Sequence, residues 1–191
     1  MACGKHARML DIYCCDSFPR NVQEQHRKGM TKQQVSYRDD GVDRDGDGGG
    51  CDEMLLGMKK RGFGVGKWNG FGGKVESGET VEQAAKRELM EESGVTAREL
   101  SFRGQLIFHV PSYPSIMRVH VYEAISYEGD PAESEEMRPQ WFRVADLPLK
   151  EMWADDEYWM PLFLKGKSFR GEFHFSDDQT IVSHDLEEVT S

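Results

Sequence analysis

The feature that most restricts what this chain can fold into is a short helix whose carboxylates share its apolar side. Between Thr80 and Ser93, Thr80 with Gln83 forms a capping-box signature and Gly94 stands at the C-terminal stop position. At about 100° per residue, Glu88, Glu91 and Glu92 fall on the arc of Val81, Ala84, Ala85 and Leu89. A charge cluster usually marks a solvated face. Here the like charges at i,i+3 and i,i+4 repel, all three lie toward the negative end of the helix dipole, and their arc is the one a core would take up. A divalent cation removes all three objections.

The sequence around this helix is that of a mixed domain. Residues 54–58, 105–110, 118–125 and 140–144 read as strands, because β-branched and aromatic residues recur between Gly, Pro and Ser breaks. The loop before the helix carries Gly62, Gly64, Gly66, Gly70, Gly72 and Gly73, which lets backbone approach a ligand closely. A second helix is predicted over residues 156–164, with Pro161 fixing or kinking its early turns, and a closing hairpin over 169–175 and 180–189. The pattern is α+β, not a helical bundle. His109, His120, His174 and His184 stand singly in strand-like segments and read as ordinary polar residues.

Residues 1–52 differ in texture. They are polar and end in an acidic, glycine-dense stretch that cannot bury enough apolar surface to offset ordering entropy, so the segment is expected to be disordered and the globular domain to span 53–191. All four cysteines lie before residue 52, without the paired spacing of a zinc site. No apolar signal core and no bilayer-spanning run is present, so a soluble intracellular protein is expected, in the cytoplasm first, with nucleus and mitochondrion as alternatives that composition does not decide. A net charge of -10 and a pI near 5.1 give a nucleic-acid polymer no electrostatic reason to bind. If phosphate is handled here, a metal must mediate.

Gly73, five residues, Glu79, seven residues and then Arg87-Glu88-Leu89-Met90-Glu91-Glu92-Ser93-Gly94-Val95 together match every fixed position of the box that defines the Nudix hydrolases, and the chain closely resembles that family. The resemblance implies an α/β/α sandwich with a mixed sheet between helices. It implies Mg²⁺, with Mn²⁺ as an alternative, held by Glu88, Glu91 and Glu92 with the carbonyl near Gly72 and with Glu136. Arg87 would orient Glu79 and the loop, and Glu92 would be the base and principal ligand.

Residues 55–64, Trp68-Asn69-Gly70-Phe71-Gly72-Gly73-Lys74, Glu136-Met137-Arg138-Pro139 and residues 153–159 further resemble the branch of the family that hydrolyses oxidised purine nucleoside triphosphates. This implies a monomeric enzyme with a small nucleotide substrate such as 8-oxo-dGTP. It also implies a base pocket of Phe63, Asn69, Phe108, Met117, Trp153, Asp155, Asp156 and Trp159, with Lys59 near the phosphates. These residue types suit base recognition, since flat aromatic faces stack on bases, Asn offers a donor and an acceptor, and adjacent buried Asp155 and Asp156 disfavour double ionisation. Read without the resemblance, the two tryptophans are core and the aspartates cap a helix.

One element of the family is displaced. Its apolar strand directly before the Leu-Leu-Gly-Met run is replaced by the polar residues 38–52. Either residues 8–15, Arg-Met-Leu-Asp-Ile-Tyr-Cys-Cys, complete the sheet across a long loop, or the sheet is incomplete and the fold binds nucleotides without turning them over.

Overall fold

The computed structural model describes residues 7–19, 53–113 and 115–190. Among the described residues there are eight strands: β1 Ala7–Pro19, β2 Glu53–Lys59, β3 Trp68–Asn69, β4 Thr96–His109, β5 Ser115–Glu128, β6 Met137–Arg143, β7 Ser168–Phe175 and β8 Ile181–Val189. Two α-helices, α1 Val81–Ser93 and α2 Asp156–Leu164, complete the frame. The strands run in the order β3-β2-β1-β5-β4-β7-β8, with β6 paired to β2. β6 covers the whole of one β2 edge in antiparallel register, from Glu53↔Arg143 to Lys59↔Met137. β1, in parallel, and β3 therefore divide the other edge.

Alternation along β2 shows how the sheet separates two cores. Met54 and Leu56 pack on one side with Trp159, Phe163, Phe169 and Phe173, while Leu55 packs on the other with Ala84, Ala85, Leu89 and Phe71. α2 thus covers one face and α1 the other, the α/β/α arrangement expected of the sequence. The capping box on Thr80 and Gln83 is formed, and Gly94 closes α1 in the left-handed region at φ 75°.

β1 lies between β2 and β5, pairing Ala7↔Glu53 to Met9↔Leu55 on one side and Met9↔Ala124 to Pro19↔Ser115 on the other. The segment 8–15, the sequence's candidate for a missing strand, is inside it. Composition predicts disorder over residues 1–52; residues 7–19 of that span instead form β1, where pairing on both edges satisfies the backbone, and residues 1–6 and 20–52 lie outside the described residues.

Three details differ from the sequence reading. β4 begins at Thr96, well before residue 105, because irregularities between Ala97 and Glu99, Glu99 and Leu100, and Phe102 and Gly104 interrupt its alternation. β3 is a two-residue strand inside the glycine-rich loop, too short for any periodic signal. Pro161 is the sixth of nine residues of α2, past the first turn that tolerates proline best.

Candidate active site

α1 and the glycine loop build the acidic half of the site. Glu92 is 3% exposed; its Oε2 accepts from the Gly72 amide at 2.8 Å and its Oε1 from Lys59 Nζ at 2.9 Å. Lys59 reaches Glu136 as well, at 3.0 Å, and Arg61 holds the other oxygen of Glu136 at 2.6 Å. Glu88 receives Arg87 Nη1 at 2.7 Å. Gly73 packs directly beside it: a Cβ there would stand 2.3 Å from a Glu88 carboxylate oxygen and would push that side chain aside.

Arg87 is the organiser of the loop. It donates to both oxygens of Glu79, at 2.7 and 3.1 Å, and to the Lys74 carbonyl at 3.1 Å. Glu79 in turn accepts from the Glu76 amide at 2.6 Å. The Arg87 bonds hold the Glu79 carboxyl below its ordinary range, and the same pairing raises the guanidinium.

Glu91 departs from the inward arc expected for all three box glutamates. Its side chain is 61% exposed, with Arg87 Nη1 at 3.3 Å. The reason is geometric: Glu91 is about 100° around the helix from Glu92, at the rim of the arc, and a flexible carboxylate there turns to water. Glu88 and Glu92 stay inside, and burial raises both carboxyls despite Arg87 beside the first and Lys59 beside the second. Arg61, held foremost by its bonds to Glu136, keeps that carboxyl low.

The donor chemistry of these residues suits a divalent cation, whose charge would take over the part that Lys59, Arg61 and Arg87 play among the carboxylates. Glu88, Glu91, Glu92, Glu135 and Glu136, with Arg61 and Ser134, line a hollow of about 280 Å³. Its donors are hard oxygens suited to Mg²⁺ or Mn²⁺, and the glycine cradle brings backbone against two carboxylates that burial disfavours as anions.

A second cavity, of about 220 Å³, adjoins this hollow. Of the residues expected at a base pocket it is lined by Phe63, Asn69, Phe108, Met117, Trp153 and Asp155, and Lys59, expected near the phosphates, lines it as well. Phe63 stacks on Trp153 at 4.9 Å and 23° while remaining 52% exposed. Lys67 fixes Trp153 from beneath, donating to the Met152 carbonyl at 2.9 Å and lying 5.1 Å from the indole centroid. Asn69 Oδ1 accepts from the Gly70 amide at 3.0 Å, which sets its amide plane.

Asp156 and Trp159 do not line the cavity. Both are fully buried: Asp156 accepts from the Trp153 amide at 2.9 Å, and Trp159 stacks on Phe169 at 5.5 Å. They position the wall from behind. Asp155 faces the cavity, makes no capping bond for α2, and accepts from the Trp159 indole N–H at 3.1 Å. Burial pushes its carboxyl up to about 6. Tyr113, Phe175 and Asp178 also line the cavity, and Ser112 donates to Asp178 across the strand ends. Sequence reasoning missed them, because only the parallel pairing of β4 and β7 brings those two loops together.

Comparison with known proteins identifies the family. The profile of the NUDIX domain matches residues 42–163. The chain is 57% identical over 136 residues to the oxidized purine nucleoside triphosphate hydrolase of Danio rerio, covering 71% of this chain and 87% of that protein. It is 54% identical over 138 residues to the protein of the same name from Mus musculus, covering 72% and 88%. The crystal structure of a mutator MutT protein from Bacillus halodurans superposes with a TM-score of 0.62 at 27% identity, over 71% of this chain and 90% of that one. Profile, relatives and fold converge, and the chain belongs to the Nudix family of hydrolases.

Proposed function

We propose that this enzyme hydrolyses oxidised purine (deoxy)nucleoside triphosphates, 8-oxo-dGTP among them, to the monophosphate and pyrophosphate with Mg²⁺, removing damaged nucleotides from the pool of cytoplasm, nucleus and mitochondrion as a monomer. The observation that carries this reading is a shared wall. Lys59, Gly72 and Gly73 line the aromatic cavity, and the same three residues contact or abut the glutamates of the acidic hollow. A base stacked in the first therefore directs its phosphates into the second. The names of the two animal relatives support the substrate class.

Each group has a distinct role in this chemistry. Glu88, Glu91 and Glu92, with Glu136 and the backbone at Gly72, would hold the ion, which when bound neutralises phosphate charge and acidifies the attacking water. Glu92, buried at the end of α1 and fixed by the Gly72 amide, would take the proton of that water. Lys59 leaves its carboxylate partners to meet the incoming polyphosphate. Arg87 keeps Glu79 and the loop in place. Phe63 and Trp153 grip the base, and Asn69 with Asp155 reads its edge. Oxidation at C8 turns N7 of guanine from an acceptor into a donor, so a carboxyl that both donates and accepts can follow the change.

The test is the identity of the products. 8-oxo-dGTP incubated with the full chain and Mg²⁺ is expected to give 8-oxo-dGMP and pyrophosphate in equal amounts, and nothing in excess chelator. Release of orthophosphate, or turnover indifferent to chelator, would overturn the assignment.

A further inference from the structure

The sheet face turned away from α2 carries a cluster that the proposed chemistry does not use. β4 and β7 pair in parallel with Phe108 opposite Phe173 and His109 opposite His174. Side chains alternate. Phe108, Phe173 and Phe175 are buried in the α2 core, which leaves His109, Glu172 and His174, all half-buried, on the opposite face. The two imidazoles lie parallel, 4.1 Å between centroids and 10° between planes. Both Nε2 atoms address one carboxylate oxygen, Glu172 Oε1, at 2.8 Å from His109 and 3.1 Å from His174.

We propose that His109, Glu172 and His174 form a second metal site, separate from the glutamate box, for a borderline divalent transition ion, Zn²⁺ first. The donor atoms of the three side chains lie within 4.8 Å of one another. Zinc bonds of about 2.0–2.2 Å in tetrahedral geometry hold donors roughly 3.3 Å apart. The observed nitrogen–oxygen spacings approach that value, and the two stacked rings must splay about their side-chain torsions to turn both Nε2 lone pairs onto one ion. Two imidazoles and one carboxylate select zinc, copper or nickel over magnesium, which prefers an all-oxygen shell and keeps its waters. Three protein ligands at a partly exposed surface leave a fourth position for water. The scaffold is rigid: Glu172 and His174 are two apart on one strand, and His109 is fixed opposite by the ladder.

Occupancy has a consequence for the cavity on the other face. His109 follows Phe108 in the chain and His174 precedes Phe175, and both phenylalanines line that cavity. An ion fastening β4 to β7 would stiffen this wall and stabilise the native state by mass action.

The experiment is calorimetric titration of Zn²⁺ into the full chain in a large excess of Mg²⁺, which keeps the carboxylate hollow filled. One equivalent of zinc is expected, together with a rise in melting temperature. His109→Thr with His174→Thr retains strand propensity and should weaken uptake by at least about tenfold, a loss that even outer partners of metal ligands produce. His174→Thr alone should do the same if the double variant does not fold. Glu91→Gln should leave uptake unchanged. Co²⁺ in place of zinc is expected to give visible d–d bands without a thiolate charge-transfer band, since Cys3, Cys14, Cys15 and Cys51 are rival donors. No zinc uptake over Mg²⁺, uptake unaffected by the histidine variants, or a dominant thiolate band would each overturn the proposal.

Discussion

Among the three box glutamates the environments are unequal, and so are the expected consequences of removing them. Glu92 is buried, bonded to a loop amide and to Lys59, whereas Glu91 lies mostly in water. Glu92→Gln should lower kcat by on the order of 10²–10⁴-fold, with a melting temperature close to the parent's, because glutamine keeps the shape and loses a charge that burial disfavours. Glu91→Gln should cost distinctly less. Steady-state kinetics beside thermal melts check this, and equal tolerance at both positions would make the cluster an ordinary charged face. Asp155 gives a pH test. Its carboxyl is raised from 3.8 to about 6, so between those values the native state holds a proton that the unfolded chain has released, and stability falls as pH rises through that window. Asp155→Asn, which cannot ionise and still offers an acceptor to Trp159, should therefore gain melting temperature relative to the parent as pH rises from 4 to 6. Parallel pH profiles for the two proteins would contradict the burial argument.

At the scale of elements, the sequence was most informative where local chemistry decides the structure. α1 announces itself through its cap, its stop and its box spacing, and Thr80→Ala should cost about 1 kcal/mol in denaturant unfolding by removing the side-chain acceptor for the Gln83 amide. An unchanged midpoint would mean the cap bond is not formed in solution. α2 was equally legible at its bounds, while its aspartates were not: nothing in two adjacent carboxylates says that one faces a cavity and the other ties down the Trp153 amide. The early half of β4 was hidden by bulges, and the His109, Glu172 and His174 cluster by distance in sequence. Strand pairing alone makes those three neighbours. The glycine loop was legible as a place of close approach, though which glycine meets which carboxylate emerged only from the packing of Gly73 on Glu88.

At the scale of the whole molecule, an acidic chain is assigned a polyanionic substrate, and the local charges reconcile the two. Lys59, Arg61 and Arg87 stand among the glutamates of the hollow, and a bound divalent ion would complete the neutralisation. The sheet is complete because β1 occupies the place between β2 and β5. Backbone amides of β1 facing β5 should accordingly exchange slowly with solvent, near the rate of those in β4, whereas exchange at coil-like rates would mean that the sheet is open there. Hydrolysis is joined here to recognition of the damaged base, and the link is open to direct measurement. It is tested most directly by measuring kcat/KM of the full chain, with Mg²⁺, for 8-oxo-dGTP and for dGTP side by side, in the parent and in Asp155→Asn. A preference for the oxidised nucleotide is expected, shrinking in the variant while the Mg²⁺ requirement persists; equal specificity constants for the two nucleotides in the parent, or no hydrolysis of either, would contradict the assignment.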